Sequence, residues 1–235
     1  MRGILKIQNI PMTPHNPNHN NLPKLLQQLV NSGSFKWRTH VIHMHTWDPA
    51  SNAIFERFPD LFLGTVNMRD PRDCAVSMAH VHDQPIETAC KNIANYHGQL
   101  RYFRARTKPL MIRYENLVAS KTAYIDQIAL HMGFNLTPAQ VRQIDGDTTA
   151  DKAKEVADKV ATGKGPIRTV GGRTRVLREH ADSFINDRHI QSGKSGRWLT
   201  ETSDVDQAHL DEILTPIAVS LGYHPSGHEV GKLDA

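Results

Sequence analysis

Cysteine is nearly absent: Cys74 and Cys90 are the only two in 235 residues. Two thiols cannot build a disulfide framework like those that hold small secreted domains together, so a reducing cytoplasm is the expected setting. Long apolar runs are missing too. No stretch approaches the roughly 20 residues that cross a bilayer. The opening MRGILKIQNIPM is interrupted by Lys6 and followed by no small-residue cleavage site, which makes it a poor signal peptide. Aromatic residues are scarce at 6%, and no arginine-rich tract interleaves with them. The charge-plus-stacking signature of a nucleic-acid binder is therefore not there. There is no internal repeat, and low complexity is confined to an Asn/Pro/His patch at 14–21.

What is present reads as a single soluble domain over 1–235, with 39% apolar and 22% charged residues. The formal net charge of +4 and pI near 9.1 suit an anionic small ligand, and equally an ordinary basic protein. GILKIQNI reads as a first strand, residues 22–30 as a helix, THVIHMHTW as a second strand and 53–58 as a short helix. LFLGTVNM reads as a third strand, apolar enough to be buried on both faces. Asp70-Pro71 opens a helix as cap and first residue.

Residues 86–104 read as a long helix, with Ala89, Ile93, Tyr96, Leu100 and Phe103 on one stripe. KPLMIRYENL is a fourth strand and 124–132 a helix that Gly133 ends. Thr137 with Gln140 forms a capping box for the next helix. Residues 151–188 read as helix plus mobile loop, followed by the loop GKSGRW and a final helix over 205–221. Strands alternating with helices predict a three-layer α/β/α domain around a central parallel sheet, with ligands at the strands' carboxyl ends.

The most informative segment is VNMRDPRDCAVS. A strand ending at Arg69 and a helix opening at Pro71 turn backbone N–H groups and the helix dipole outward, a ready anion site. Arg69 adds a bidentate guanidinium, and Ser77, two turns into the helix, a hydroxyl. The competing reading makes Arg69 and Asp73 a surface ion pair and leaves Ser77 facing solvent.

Residues 69–77, RDPRDCAVS, resemble the 3′-phosphate motif of the sulfotransferases that use 3′-phosphoadenosine 5′-phosphosulfate. Three further segments follow in the family's order. VIHMHTW is similar to the strand ending in the catalytic histidine, LMIRYENL to the strand ending Tyr-Glu-x-Leu, and GKSGRW to the late Gly-x-x-Gly-x-Trp loop. The resemblance spans roughly 39–223. It implies a sulfotransferase fold of the P-loop nucleoside-triphosphate-hydrolase kind. It also implies sulfuryl transfer from the phosphosulfate to a hydroxyl or amine, leaving 3′-phosphoadenosine 5′-phosphate (PAP).

Arg69 and Ser77, with Arg72, are then the residues expected to hold the 3′-phosphate. Gly193, Lys194, Gly196, Arg197 and Trp198 are those expected to close over the nucleotide. Variable loops choose the acceptor, so the likeness speaks only to the donor.

The chain departs from that pattern at its first loop. Where the family has a glycine-rich 5′-phosphosulfate loop, this chain reads PMTPHNPNHNN. No glycine is available for a left-handed turn, and Pro11, Pro14 and Pro17 have no N–H to donate. Either the natural amino terminus has been lost or misassigned, or the loop has degenerated; in the latter case the protein is an inactive nucleotide- or partner-binding relative. His43 stands where many members have lysine, and Gln191-Ser192 where many have Arg-Lys. Lys194, Arg197, Arg173, Arg175 or Arg178 are candidates to restore charge.

By the resemblance His45 is the general base that deprotonates the acceptor, work suited to a group titrating near neutrality. It reads equally as a polar residue of the cleft. A third reading pairs His43 and His45 with Asp48, and with His80, His82 and Asp83, as ligands of a metal-dependent hydrolase. His80 and His82 fall late in a helix, where positions two apart diverge. Glu115 reads as a structural acceptor for backbone N–H groups more than as an acid.

Overall fold

The computed structural model describes residues 63–159, 162 and 194–227, with the backbone of four short strands at 12–13, 41–42, 167–170 and 173–176. Strands β1 (Met12–Thr13) and β2 (Val41–Ile42) pair in parallel. So do β3 (Thr65–Met68) and β4 (Leu110–Arg113), in a register running from Thr65 opposite Leu110 to Met68 opposite Arg113. Parallel neighbours need a crossover. It is supplied by α1 (Pro71–His82) and α2 (Ile86–Thr107).

Then follow α3 (Tyr114–Ala119), α4 (Lys121–His131), α5 (Pro138–Asp147) and α6 (Ala150–Lys159). Strands β5 (Ile167–Val170) and β6 (Arg173–Val176) pair antiparallel. A 3-10 turn at Arg197–Leu199 leads to α7 (Asp204–Ile213) and α8 (Thr215–Ser220). The described strands form three two-stranded pairs, two of them parallel, and with the helices between them they make an α/β fold. No helix among the described residues is long and apolar enough to cross a membrane.

Where local signals are strong, structure and sequence agree. Asp70 caps α1 with Pro71 in its first turn, the Thr137 and Gln140 side chains form the reciprocal capping box of α5, and Gly133 follows α4 at φ 78°. Ala89, Ile93 and Phe103 of the α2 stripe are buried, and Tyr96 and Leu100 half-buried.

Five expectations change. Met12–Thr13 is a strand, although it falls in the segment 11–21 that reads as a loop. Strand β3 is buried on one face only: Val66 and Met68 point inward while Asn67 is exposed. The fourth strand stops at Arg113, and Tyr-Glu-Asn-Leu turns into α3 with Glu115 in the first turn, where the helix dipole favours an acid. The final helix breaks at Leu214 because Pro216, in the first turn of α8, has no N–H to continue α7. In place of a loop, Ile167–Val170 and Arg173–Val176 pair as antiparallel strands, each carrying β-branched residues.

The main apolar cluster joins α1, α2 and α7 to the 3-10 turn through Ala75, Ala79, Ala89, Ile93, Trp198 and Leu210. A second gathers Ile112, Ile125, Ile128, Val141 and Ile144 from β4, α4 and α5. Met68, Ala218 and Tyr223 form a third under the end of β3. The carboxyl ends of β3 and β4 and the start of α1 are thus set on packed elements.

Candidate functional site

Residues 69, 73 and 77 are spaced by four, so Arg69, Asp73 and Ser77 lie along one stripe of α1 and its lead-in. Arg69 keeps 20% of its side chain exposed. Its Nη2 donates to Asp73 Oδ2 at 3.3 Å and to the Lys194 carbonyl at 2.6 Å, and its guanidinium lies 4.8 Å from the Tyr114 ring centre. Its Nε is buried and has no acceptor among the described residues.

Asp73 is fully buried. Besides Arg69 it accepts from the N–H groups of Gly196 at 2.8 Å and Trp198 at 3.2 Å. Gly196 sits at φ 78°, a conformation costly for any residue with a Cβ. The late glycine loop is therefore docked on the RDPRDCAVS motif by one carboxylate and one guanidinium, across more than a hundred residues of chain. Ser77 is half-buried on the same stripe, and its hydroxyl bonds to none of the described residues.

The helix start itself is not the open anion nest expected of it. Pro71 has no N–H, the Asp70 carboxylate accepts the Arg72 N–H at 2.9 Å, and Pro71, Arg72 and Asp73 are buried. Any anion held there would have to be met by side chains. Arg72 is not one of them, contrary to expectation. It is 0% exposed and donates Nε and Nη2 to Asp70 at 3.0 and 2.7 Å. It also donates to the His224 carbonyl at 2.8 Å and the Pro225 carbonyl at 2.5 Å, and it stacks 4.1 Å from the Trp198 ring. A guanidinium so enclosed has no face left for a nucleotide.

Arg197 and Trp198, also expected to contact the nucleotide, are buried as well. Arg197 donates through Nε and Nη2 to both Glu201 oxygens, and the Trp198 indole lies in the main cluster. That paired contact holds the Glu201 carboxyl below its ordinary range. Lys194 is exposed, and Gly196 half-buried beside Asp73.

His43, His45, Asp48 and Gly193 lie outside the described residues. Among those described, no group of three or more His, Cys, Asp or Glu side chains is placed to hold a metal. His80 and His82 are exposed on the last turn of α1.

Glu115 behaves as the structural acceptor expected: Oε1 accepts the Asp70 N–H at 3.1 Å and Oε2 the Tyr223 hydroxyl at 3.1 Å. Beside it, burial pushes the Cys74 thiol up to about 12; Arg69 pulls the other way, while Asp73, Asp70 and Glu115 add to the rise. A thiol raised in this way is a poor nucleophile. The Arg69–Asp73 ion pair, the competing reading of the sequence, is present, but with Asp73 buried and not at the surface. Tyr223 is the residue that sequence reasoning missed, and no signal pointed to it.

No family model matches the chain, and no curated protein matches it in sequence. Among solved structures it is similar to mouse sulfotransferase SULT7A1 complexed with PAP, with a TM-score of 0.57 and 12% identity over 81% of this chain and 72% of that one. It is also similar to retinol dehydratase in complex with androsterone and inactive cofactor PAP, with a TM-score of 0.51 and 14% identity over 92% of this chain. There it spans 63% of the other protein's length. At such identities the likeness is one of fold, and the chain has a sulfotransferase-like fold.

Proposed function

We propose that this protein binds the 3′-phosphoadenosine end of 3′-phosphoadenosine 5′-phosphosulfate, or of PAP, at Arg69 and Ser77, and that it belongs to sulfuryl-transfer chemistry. The observation that carries this reading is the stripe of Arg69, Asp73 and Ser77 joined to the Gly196 turn. The donor set suits a phosphate: Arg69 Nε and the Ser77 hydroxyl are uncommitted among the described residues, and both lie on that stripe. Arg69 is anchored at Asp73 and at the Lys194 carbonyl, so little side-chain entropy is lost on binding. Gly193, Lys194 and Gly196 are the positions that would border the nucleotide. When bound, the phosphosulfate supplies an activated sulfuryl group.

The test is calorimetry with PAP and with adenosine 5′-phosphate. A charge-assisted phosphate contact is worth about 1.5–3 kcal/mol, or roughly tenfold to over a hundredfold in affinity. PAP should bind more tightly by that factor, and Arg69→Ala should erase the difference. Equal affinity of the wild type for the two nucleotides would overturn the assignment.

For transfer itself the acceptor, a hydroxyl or amine, must lose a proton, and His45 is the residue we assign to take it, with His43 beside it in sequence. General-base catalysis contributes at least about a hundredfold. His45→Ala should lose that much turnover while PAP binding persists, because the base serves the acceptor and not the 3′ end of the donor. Full turnover by the variant would remove His45 from the mechanism.

A second reading, a nucleotide-binding relative without activity, is favoured by one feature. The segment 11–21 has three prolines and no glycine where backbone donors are needed.

A further inference from the structure

The turn after α8, residues 221–227, is held by arginines from two other elements. Arg113, at the end of β4 and 5% exposed, donates to the carbonyls of Leu221 and Gly222 and lies 4.6 Å from the Tyr223 ring centre. Arg72, in the first turn of α1, takes the carbonyls of His224 and Pro225. At its far end the turn abuts the late loop: a Cβ on Gly227 would stand 2.8 Å from Trp198 Cζ2.

The turn returns one contact to the motif. The Tyr223 hydroxyl donates to Glu115 Oε2, and Glu115 Oε1 accepts the Asp70 N–H. That N–H belongs to the peptide joining Arg69 to Asp70. On the opposite edge of the same peptide, the Arg69 carbonyl faces Cys74 Sγ at 3.9 Å. The plane from which the Arg69 side chain departs is therefore held at its N–H edge by Glu115, with only a long, weak thiol contact at the other. Burial and the Glu115 charge raise the Tyr223 pKa, so its hydroxyl remains a donor at ordinary pH.

We propose that Tyr223 is a positioning residue for the 3′-phosphate site: through Glu115 it sets the peptide between Arg69 and Asp70, and with it the direction in which Arg69 presents its guanidinium. The inference rests on reading Arg69 as the residue that binds the 3′-phosphate. No nucleotide contact by Tyr223 is involved. By linkage, docking of the 221–227 turn and binding of PAP stabilise each other by equal amounts.

The experiment measures PAP and adenosine 5′-phosphate affinities by calorimetry for wild type, Tyr223→Phe, Glu115→Ala and the double variant. Phenylalanine keeps the ring under Arg113 and against Met68 and Ala218, removing only the hydroxyl. Tyr223→Phe should lower PAP affinity about tenfold and leave adenosine 5′-phosphate affinity unchanged, so the ratio of the two falls. Because Tyr223 acts through Glu115, the double variant should be no worse than Glu115→Ala alone. An unchanged ratio in Tyr223→Phe, an equal loss for both nucleotides, or fully additive losses would each overturn the proposal. Absence of any PAP preference in the wild type is a separate result, and it overturns the nucleotide reading itself.

Discussion

Asp73→Ala is expected to undock the Gly196 turn and lower folding stability by about 3–5 kcal/mol, the usual cost of removing one partner from a buried charged pair. Asp73 is fully buried and accepts from three groups: Arg69 Nη2, the Gly196 N–H and the Trp198 N–H. Alanine leaves all three without that acceptor. An unsatisfied buried donor costs about 1–3 kcal/mol each, so the total falls in the same range without assuming additivity. PAP affinity should fall as well, since Arg69 loses one of its two anchors. Asp73→Asn keeps a carbonyl oxygen for one backbone N–H and should lose less. Urea unfolding read as a midpoint shift at constant slope gives the stability change directly. An alanine variant within about 0.5 kcal/mol of wild type, the range of ordinary surface substitutions, would show that the loop is held by other contacts.

Sulfuryl transfer by this 235-residue chain is expected to run several orders of magnitude slower than in an ordinary enzyme. On the proposed reading, the stripe of Arg69, Asp73 and Ser77 would hold the end of the cofactor that does not react. Rate comes from donors preorganised around the transferring group, and removing even one costs about 2.7–4 kcal/mol. Residues 11–21 offer Pro11, Pro14 and Pro17 without N–H groups and no glycine, and His43 stands where a lysine supports the leaving group in the resembling family. Several donors and a cation are thus lost together, a large deficit even with non-additivity. An assay with labelled donor across phenols, sugars and amines measures it. Turnover near about one per second, ordinary for an enzyme, would show that His43, or a basic residue such as Lys164 or Arg175, supplies the missing stabilisation.

What the sequence determined by itself was local. Asp70 and Pro71 announce the start of α1, Thr137 and Gln140 that of α5, and Gly133 the end of α4, because caps and turns are satisfied within a few residues. The strand-to-helix joint at Arg69 was legible for the same reason. The antiparallel pairing of β5 with β6 was not, since glycine next to β-branched residues in the sequence fits a loop and a ribbon alike.

Tertiary structure decided which members of the motif are enclosed and which stay partly open. Arg69 and Arg72 are the same residue type three positions apart, either side of the start of α1. One turns toward the late loop with part of its surface open. The other turns inward to Asp70, Trp198 and two carbonyls beyond α8. Their partners lie as much as 153 residues away, and Tyr223 reaches Glu115 across 108. Local propensity carries no information over such distances. A buried guanidinium is stable only where every donor finds an acceptor, and the side of α1 that offers those acceptors exists only once the chain has folded around it.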